Sequence, residues 1–291
     1  MIVLWIDKTE IEEKALKIRQ ENKIQTYGIK DIFSLIEQMD IHLIRYPFGR
    51  DTVLGFSTIF EGKEVIVSNS SEILSREIFT IAHELGHVVY DFEDNNQDVK
   101  IDINVDDIDE NISEVRAFHF ANCLLMPEAQ LLEFIKFELK KSAGKLNAID
   151  IVRLQIEFQV SYAAAVQRLY DIGFINYSKK CDLYNDRNDI TSKTLFRIIN
   201  VDEDLLGSSD VIKVPSKYLE YVISNYENNY IPYSSLKKAL ALLRIDAGIF
   251  KKGDNKKEEL NIDDYNEPIN LDKKKLDFKF GYPYHNFERS T

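Results

Sequence analysis

The segment Ile78–Phe92, IFTIAHELGHVVYDF, limits the fold more tightly than any other stretch of the chain. Wound into an α-helix at about 100° per residue with His83 at the origin, it places His87 at about 40° and Glu84 at about 100°. Ile78, Ile81, Leu85, Val88 and Phe92 all fall at roughly 140–220°, so the opposite side is apolar. The pattern predicts a helix with one side sunk in a core and two imidazoles and a carboxylate on the other. Two His four residues apart stand one turn above each other, about 6 Å apart at Cβ, and their rings can converge on one metal ion. Glu84, beside the first His, is turned out of the ligand direction and suits a general base for a metal-bound water. Zinc in such a site lowers the pKa of that water to roughly 7. With 5 His in 291 residues, a chance HExxH is rare on composition alone.

Two His leave such a site one protein ligand short. The stretch Ser113–Met126 reads as the next long helix. With Glu114 at its origin, Phe118, Ala121 and Leu125 fall within about 40° and Ala117 within about 60°. A carboxylate on a face of Ala, Phe and Leu is expensive to bury uncompensated, and small Ala residues let a neighbouring helix close in. Glu114 is therefore the leading third ligand, set against the plainer reading that it only faces the helix dipole. Asp91, at about 80° on the first wheel, and His119, about 140° from Glu114 on the second, are the rival ligands. Asp91 is equally suited to orient an imidazole from behind. Tyr90, at about −20° on the chemical side of the first helix, is a candidate oxyanion helper or an ordinary rim tyrosine.

Composition narrows the remaining classes. Hydrophobic content of 44% and charged content of 30% are globular values. A net charge of −12 and a pI near 5.0 argue against direct nucleic-acid binding, which relies on Lys and Arg at phosphates. Cys123 and Cys181 alone make no disulfide framework and fit a reducing compartment. Met1–Ile6 has neither a basic start nor a cleavage site, and no apolar run approaches the roughly 20 residues that span a bilayer. A cytoplasmic protein with no membrane partner is expected. Asp91–Asn111 holds nine acidic residues against Lys100 alone, the pattern of a solvated loop.

Upstream of the HELGH helix, Lys8–Lys23 and Gly28–Met39 read as amphipathic helices. Ile41–Tyr46, Val53–Phe60 and Lys63–Ser68 read as strands of a small antiparallel sheet, the last two joined by a hairpin at Glu61-Gly62. The hairpin's edge is suited to pairing with an extended peptide. Asn69 and Glu72 form a candidate capping box for the HELGH helix. Downstream, Asn147–Ile175 holds two helices broken at Gln159–Ser161. Their spacing resembles a helix-turn-helix, but the second offers mostly Ala and Val with Gln167 and Arg168, which predicts internal packing. Lys179–Lys193 is polar and reads as a boundary. Val214–Asn228, with a stripe of Tyr218, Tyr221, Val222 and Tyr226, and Ser234–Leu243 form a later helical pair. The charged tail Lys251–Thr291 carries Phe278, Phe280, Tyr282, Tyr284 and Phe287, an aromatic cluster suited to docking. The expected class is α+β, with a catalytic domain at residues 1–177 and a mainly helical accessory domain at residues 178–291.

FTIAHELGH, then Glu114-Val-Arg-Ala117 and Phe120-Ala121-Asn-Cys-Leu124-Leu125-Met126-Pro127, resembles the ImmA/IrrE family of bacterial metallopeptidases. There HELGH is followed by a helix of the form E-x-x-A-x-x-F-A-x-x-L-L-M-P. Val160-Ser161, Arg168-Leu169 and Gly173-Phe174-Ile175 are similar to the family's next segment, so the resemblance spans residues 25–175. It implies a zincin-like fold, zinc on His83, His87 and Glu114, and Glu84 as general base. It further implies a protein substrate: a helix-turn-helix repressor or antitoxin in mobile-element, stress or toxin–antitoxin control. The alternative is a non-proteolytic, zinc-stabilised regulator that binds such a repressor; an intact Glu84 favours the enzyme. The chain departs from the family where Asp91 replaces a frequent His and Phe118 a frequent Asn, and the second change is expected either to reshape the pocket wall or to remove a hydrogen bond behind the ligands.

Overall fold

The computed structural model describes residues 7–92, 108–189 and 191–250. Met1–Ile6, most of the acidic run Asp91–Asn111 and the tail Lys251–Thr291 with its aromatic cluster lie outside the described residues.

Helix α1 (Lys8–Glu21) is capped by Asp7, whose carboxylate accepts from the amides of Thr9 and Glu10, and it buries Ile11, Ala15 and Ile18. Helix α2 (Ile32–Gln38) is capped by Asp31 and buries Ile32, Leu35 and Ile36. Asp at both positions satisfies amides that a helix start leaves without intrahelical partners.

Three strands follow: β1 (His42–Tyr46), β2 (Gly55–Phe60) and β3 (Lys63–Asn69). Glu61 and Gly62 take φ of 51° and 75°, and Phe60 pairs with Lys63, so β2 and β3 form the expected two-residue hairpin. The sheet order is β1-β3-β2. The expected antiparallel sheet is corrected at one strand, because β1 runs parallel to β3 and the sheet is mixed. The link after β1 reverses the chain and the hairpin reverses it again, so β1 and β3 point the same way.

Helix α3 (Leu74–Asp91) carries HELGH and buries Ile78, Ile81, Leu85 and Val88 of the predicted apolar side at 5% exposure or less, with Ala82 buried beside them and Phe92 partly buried at its end. The expected capping box does not form. Asn69 instead accepts from the amides of Phe48 and Ser71, and Glu72 pairs with Arg76. The first-turn amide of Leu74 donates to the Gly207 carbonyl at 2.8 Å, a cap supplied from far along the chain. Beneath this turn, Arg45 and Ser68 bind the fully buried Glu77 carboxylate, joining sheet to helix.

Helix α4 (Ile108–Leu125) runs back along α3. A Cβ on Gly86 would lie 2.9 Å from Ala117 Cα, so the two helices meet backbone to backbone. After α5 (Glu128–Phe134), α6 (Ala148–Phe158) ends at Gln159, whose φ of 56° breaks the helix, and α7 (Tyr162–Asp171) starts under a Ser161 cap. Arg168 on α7 is buried and donates to the Met126 carbonyl at 3.1 Å, the packing role expected of this pair. Helices α8 (Tyr177–Asp189) and α9 (Ser192–Ile198) add Leu183, Leu195 and Phe196 to the same core, and Leu205 follows.

The first compact unit therefore extends to Pro215, past the boundary expected at 177. The polar stretch 179–193 hides a helix that buries one leucine. Among the described residues, 216–250 with 51–53 form the second unit. In it α10 (Ser216–Glu227) and α11 (Tyr233–Leu242) pack around Leu236, Leu240 and Ala247. The α10 stripe runs through Leu219, Val222 and Tyr226, whereas Tyr221 is 63% exposed. Among the described residues no helix is long and apolar enough to cross a membrane.

Candidate metal centre

The α3–α4 crossing brings His83, His87 and Glu114 together. His83 Nε2 lies 3.1 Å from His87 Nε2 and 3.1 Å from Glu114 Oε2, and His87 Nε2 lies 3.3 Å from Glu114 Oε1. Donors held about 2.0–2.2 Å from a tetrahedral ion stand roughly 3.3 Å from one another. The three residues fit a metal ion on donor type and on spacing. His83 is buried, while the Glu114 side chain is 43% exposed, so one side of the cluster opens towards solvent. A catalytic metal needs such an open side for water and substrate.

Charge is strongly concentrated here. Burial pulls the His87 imidazolium down, but hydrogen bonds to Asp91 and Glu114 and the charge of Glu84 outweigh it and push its pKa up to about 10. Burial likewise raises the Glu114 carboxyl, and its bonds to the two imidazoles bring it down to about 2. The cluster thus holds a proton where a metal cation would replace it.

Glu84 is buried at 5% exposure, and its Oε2 accepts from Ser57 Oγ of β2 at 2.9 Å. Ser57 is a site residue that the helical pattern does not reveal. Its position follows only from the register that sets β2 along α3. Phe118, one turn beyond Glu114, tilts against Phe79, one turn before His83, at 5.3 Å between centroids. The two rings form an aromatic wall beside the cluster.

The rival ligands fall elsewhere. Asp91 accepts from His87 Nδ1 at 2.7 Å, so it sits behind the imidazole and cannot share an ion held at Nε2. Its carboxyl is held below the ordinary range; burial raises it, and the bonds from His87 and Ser113 with the charges of His87 and Arg116 outweigh that. His119 lies 3.7 Å from Cys123 Sγ, near Arg168, on another side of α4. Cys123 is buried, and burial pushes its thiol up, as suits a packing residue. Tyr90 is packed edge-on to Phe120, with Lys14 and Arg116 over its ring at 4.3 and 4.7 Å. These contacts brace Tyr90 between α1, α3 and α4.

No curated protein matches the chain. Residues 26–170, which carry the sheet, helices α3 and α4 and the α6–α7 pair, match the IrrE N-terminal-like domain (Peptidase_M78). The matched range contains His83, Glu84, His87 and Glu114, the residues gathered at the α3–α4 crossing. Through residues 26–170 the chain belongs to this family of metallopeptidase domains, the ImmA/IrrE peptidases.

Proposed function

We propose that the protein is a zinc-dependent endopeptidase whose substrate is a helix-turn-helix repressor or antitoxin. The observation that carries the reaction is the Glu84 carboxylate, buried beside a two-His, one-Glu donor set and held at one oxygen by Ser57. A pair of imidazoles with one carboxylate suits zinc among the common divalent ions. Zinc held there by His83, His87 and Glu114 supplies Lewis-acid polarisation and an acidified water. Glu84 accepts a proton from the attacking water and delivers it to the leaving amine. Ser57 keeps one carboxylate oxygen fixed, so the other is pre-aimed for that transfer.

The sheet favours a peptide as substrate. β2 lies at the edge of the β1-β3-β2 sheet, and its Ser57 touches Glu84. An extended segment pairing with β2 would be laid beside the general base. The identity of the partner rests on the family resemblance. The net charge of −12 supports a chain that acts on a DNA-binding protein without binding DNA itself.

The test is to incubate zinc-loaded protein with candidate helix-turn-helix repressors and antitoxins, with Glu84→Gln in parallel, and read products by mass spectrometry. A discrete cut is expected, reduced roughly 10²–10⁴-fold in Glu84→Gln while zinc content is retained. Stable binding by both proteins without a cut would replace the enzyme with the zinc-stabilised binding module.

A further inference from the structure

One carboxylate at the α3–α4 crossing receives three donors. Asp91 Oδ2 accepts from His87 Nδ1 at 2.7 Å and from Ser113 Oγ, and Oδ1 accepts from Arg116 Nη2. Ser113 Oγ also lies 3.2 Å from His87 Nδ1. An ionised carboxylate only accepts, so the bond to Asp91 puts the imidazole proton on Nδ1. In the neutral imidazole that a metal requires, the lone pair of His87 is then at Nε2, the atom that faces His83 and Glu114.

The other two donors carry a second consequence. Ser113 and Arg116 bracket Glu114 along α4. A single side chain at the end of α3 therefore grips both the metal-facing imidazole and the helix turn that presents the third donor. Arg116 is itself steadied over the Tyr90 ring at 4.7 Å, and Tyr90 neighbours Asp91 on α3.

We infer that Asp91 is a positioning residue for the metal centre: it fixes the tautomer of His87 and locks Glu114 in register, with Ser113 and Arg116 acting through it. The inference rests on reading His83, His87 and Glu114 as metal ligands but needs no peptidase activity. It assigns Tyr90 to the support of Arg116. A carboxylate behind a ligating imidazole characteristically tightens metal binding, and its loss weakens it about 10–100-fold.

The experiment measures zinc dissociation constants of the full chain by competition with a chromogenic chelator. Asp91→Ala is expected to weaken zinc about 10–100-fold, and Asp91→Asn less, because an amide oxygen can still accept from Nδ1. Arg116→Ala and Ser113→Ala are expected to weaken zinc in the wild-type background and to add nothing in the Asp91→Ala background, since they act through one group. Zinc affinity in Asp91→Ala within twofold of wild type, or equal losses from Arg116→Ala in both backgrounds, overturns the inference. Nitrogen-15 spectra of zinc-loaded wild type give a reading that survives a variant failing to fold. Metal on Nε2 with a proton on Nδ1 of His87 supports the assignment, and metal on Nδ1 overturns it. A fall in zinc affinity in a protein that cuts nothing would uphold this inference against the proposed peptidase activity. A wild-type chain that binds no zinc would sink both.

Discussion

His119 shows how far one side chain's surroundings set its chemistry. Burial, then the charges of Arg168 and Lys8, pull its pKa from 6.5 to about 4. Because the folded value is depressed, the folded protein leaves His119 neutral where the unfolded chain protonates it. Its stabilising contribution is complete above pH 6.5 and is lost as pH falls from there towards 4. One proton limits the slope to about 1.4 kcal/mol per pH unit. Urea unfolding of His119→Gln and wild type between pH 7 and 4 should show a shallower acid decline in the variant. Parallel declines would place the acid sensitivity elsewhere. The same residue illustrates what a sequence reveals. Helical periodicity turns His119 away from Glu114, and it brings His83, His87 and Glu84 to one side of α3, because those relations are local. Nothing local signals Ser57 behind Glu84, or Ser113 and Arg116 on Asp91. Those contacts depend on which strand lies at the sheet edge and on how two helices cross.

At the scale of elements, the crossing of α3 and α4 is fixed by the smallest residues in it. An added Cβ at Gly86 would approach Ala117 Cα at 2.9 Å and Ala117 Cβ at 3.2 Å. In an open helix, replacing Gly by Ala stabilises by about 1 kcal/mol. Here the methyl must drive backbone from backbone, and donor atoms 3.1 Å apart across the same crossing would separate with it. Gly86→Ala is therefore expected to lower the melting temperature and weaken zinc at least tenfold, about 1.4 kcal/mol. Gly144→Ala, whose new Cβ meets nothing within 4 Å, serves as the control and should leave both unchanged. Unaltered zinc affinity in Gly86→Ala would show that the crossing relaxes without moving its ligands. Small residues on α4 are legible from sequence as a face that permits close approach. The hairpin is legible too, since Glu61-Gly62 marks its turn. The parallel pairing of β1 with β3 is not, because the partner of a strand outside a hairpin is chosen by tertiary contacts. The missing capping box has a similar cause: Asn69 satisfies the loop amides of Phe48 and Ser71, leaving the first turn of α3 to Gly207.

The cap from Gly207 belongs to a larger dependence of the HELGH helix on sequence well beyond the α6–α7 pair. Lys213 exchanges backbone hydrogen bonds with Arg45 at 2.8 and 2.9 Å, extending the sheet along the outer edge of β1. Ser209 Oγ accepts from Arg45 and donates to Glu77, entering the buried ion pair beneath the first turn of α3. Leu183, Leu195, Phe196 and Leu205 complete the core that α3 and α4 share. A chain stopped at 177 would expose that core, leave the Leu74 amide without its carbonyl, and open the Arg45–Glu77 pair to one side. Loss of the Ser209 hydrogen bonds to this buried charged pair alone costs about 1.5–3 kcal/mol, a sizeable share of the stability of an ordinary domain. A chain stopped at Pro215 retains every one of these contacts. Expressed side by side, residues 1–215 should unfold cooperatively and bind zinc within about threefold of the full chain, a difference under 1 kcal/mol. Residues 1–177 should be insoluble or lack a cooperative melt. A stable, zinc-binding 1–177 fragment would mean that the 204–213 segment decorates the metal helix instead of supporting it. Helix α3 would then hold its ligands through the sheet and α4 alone.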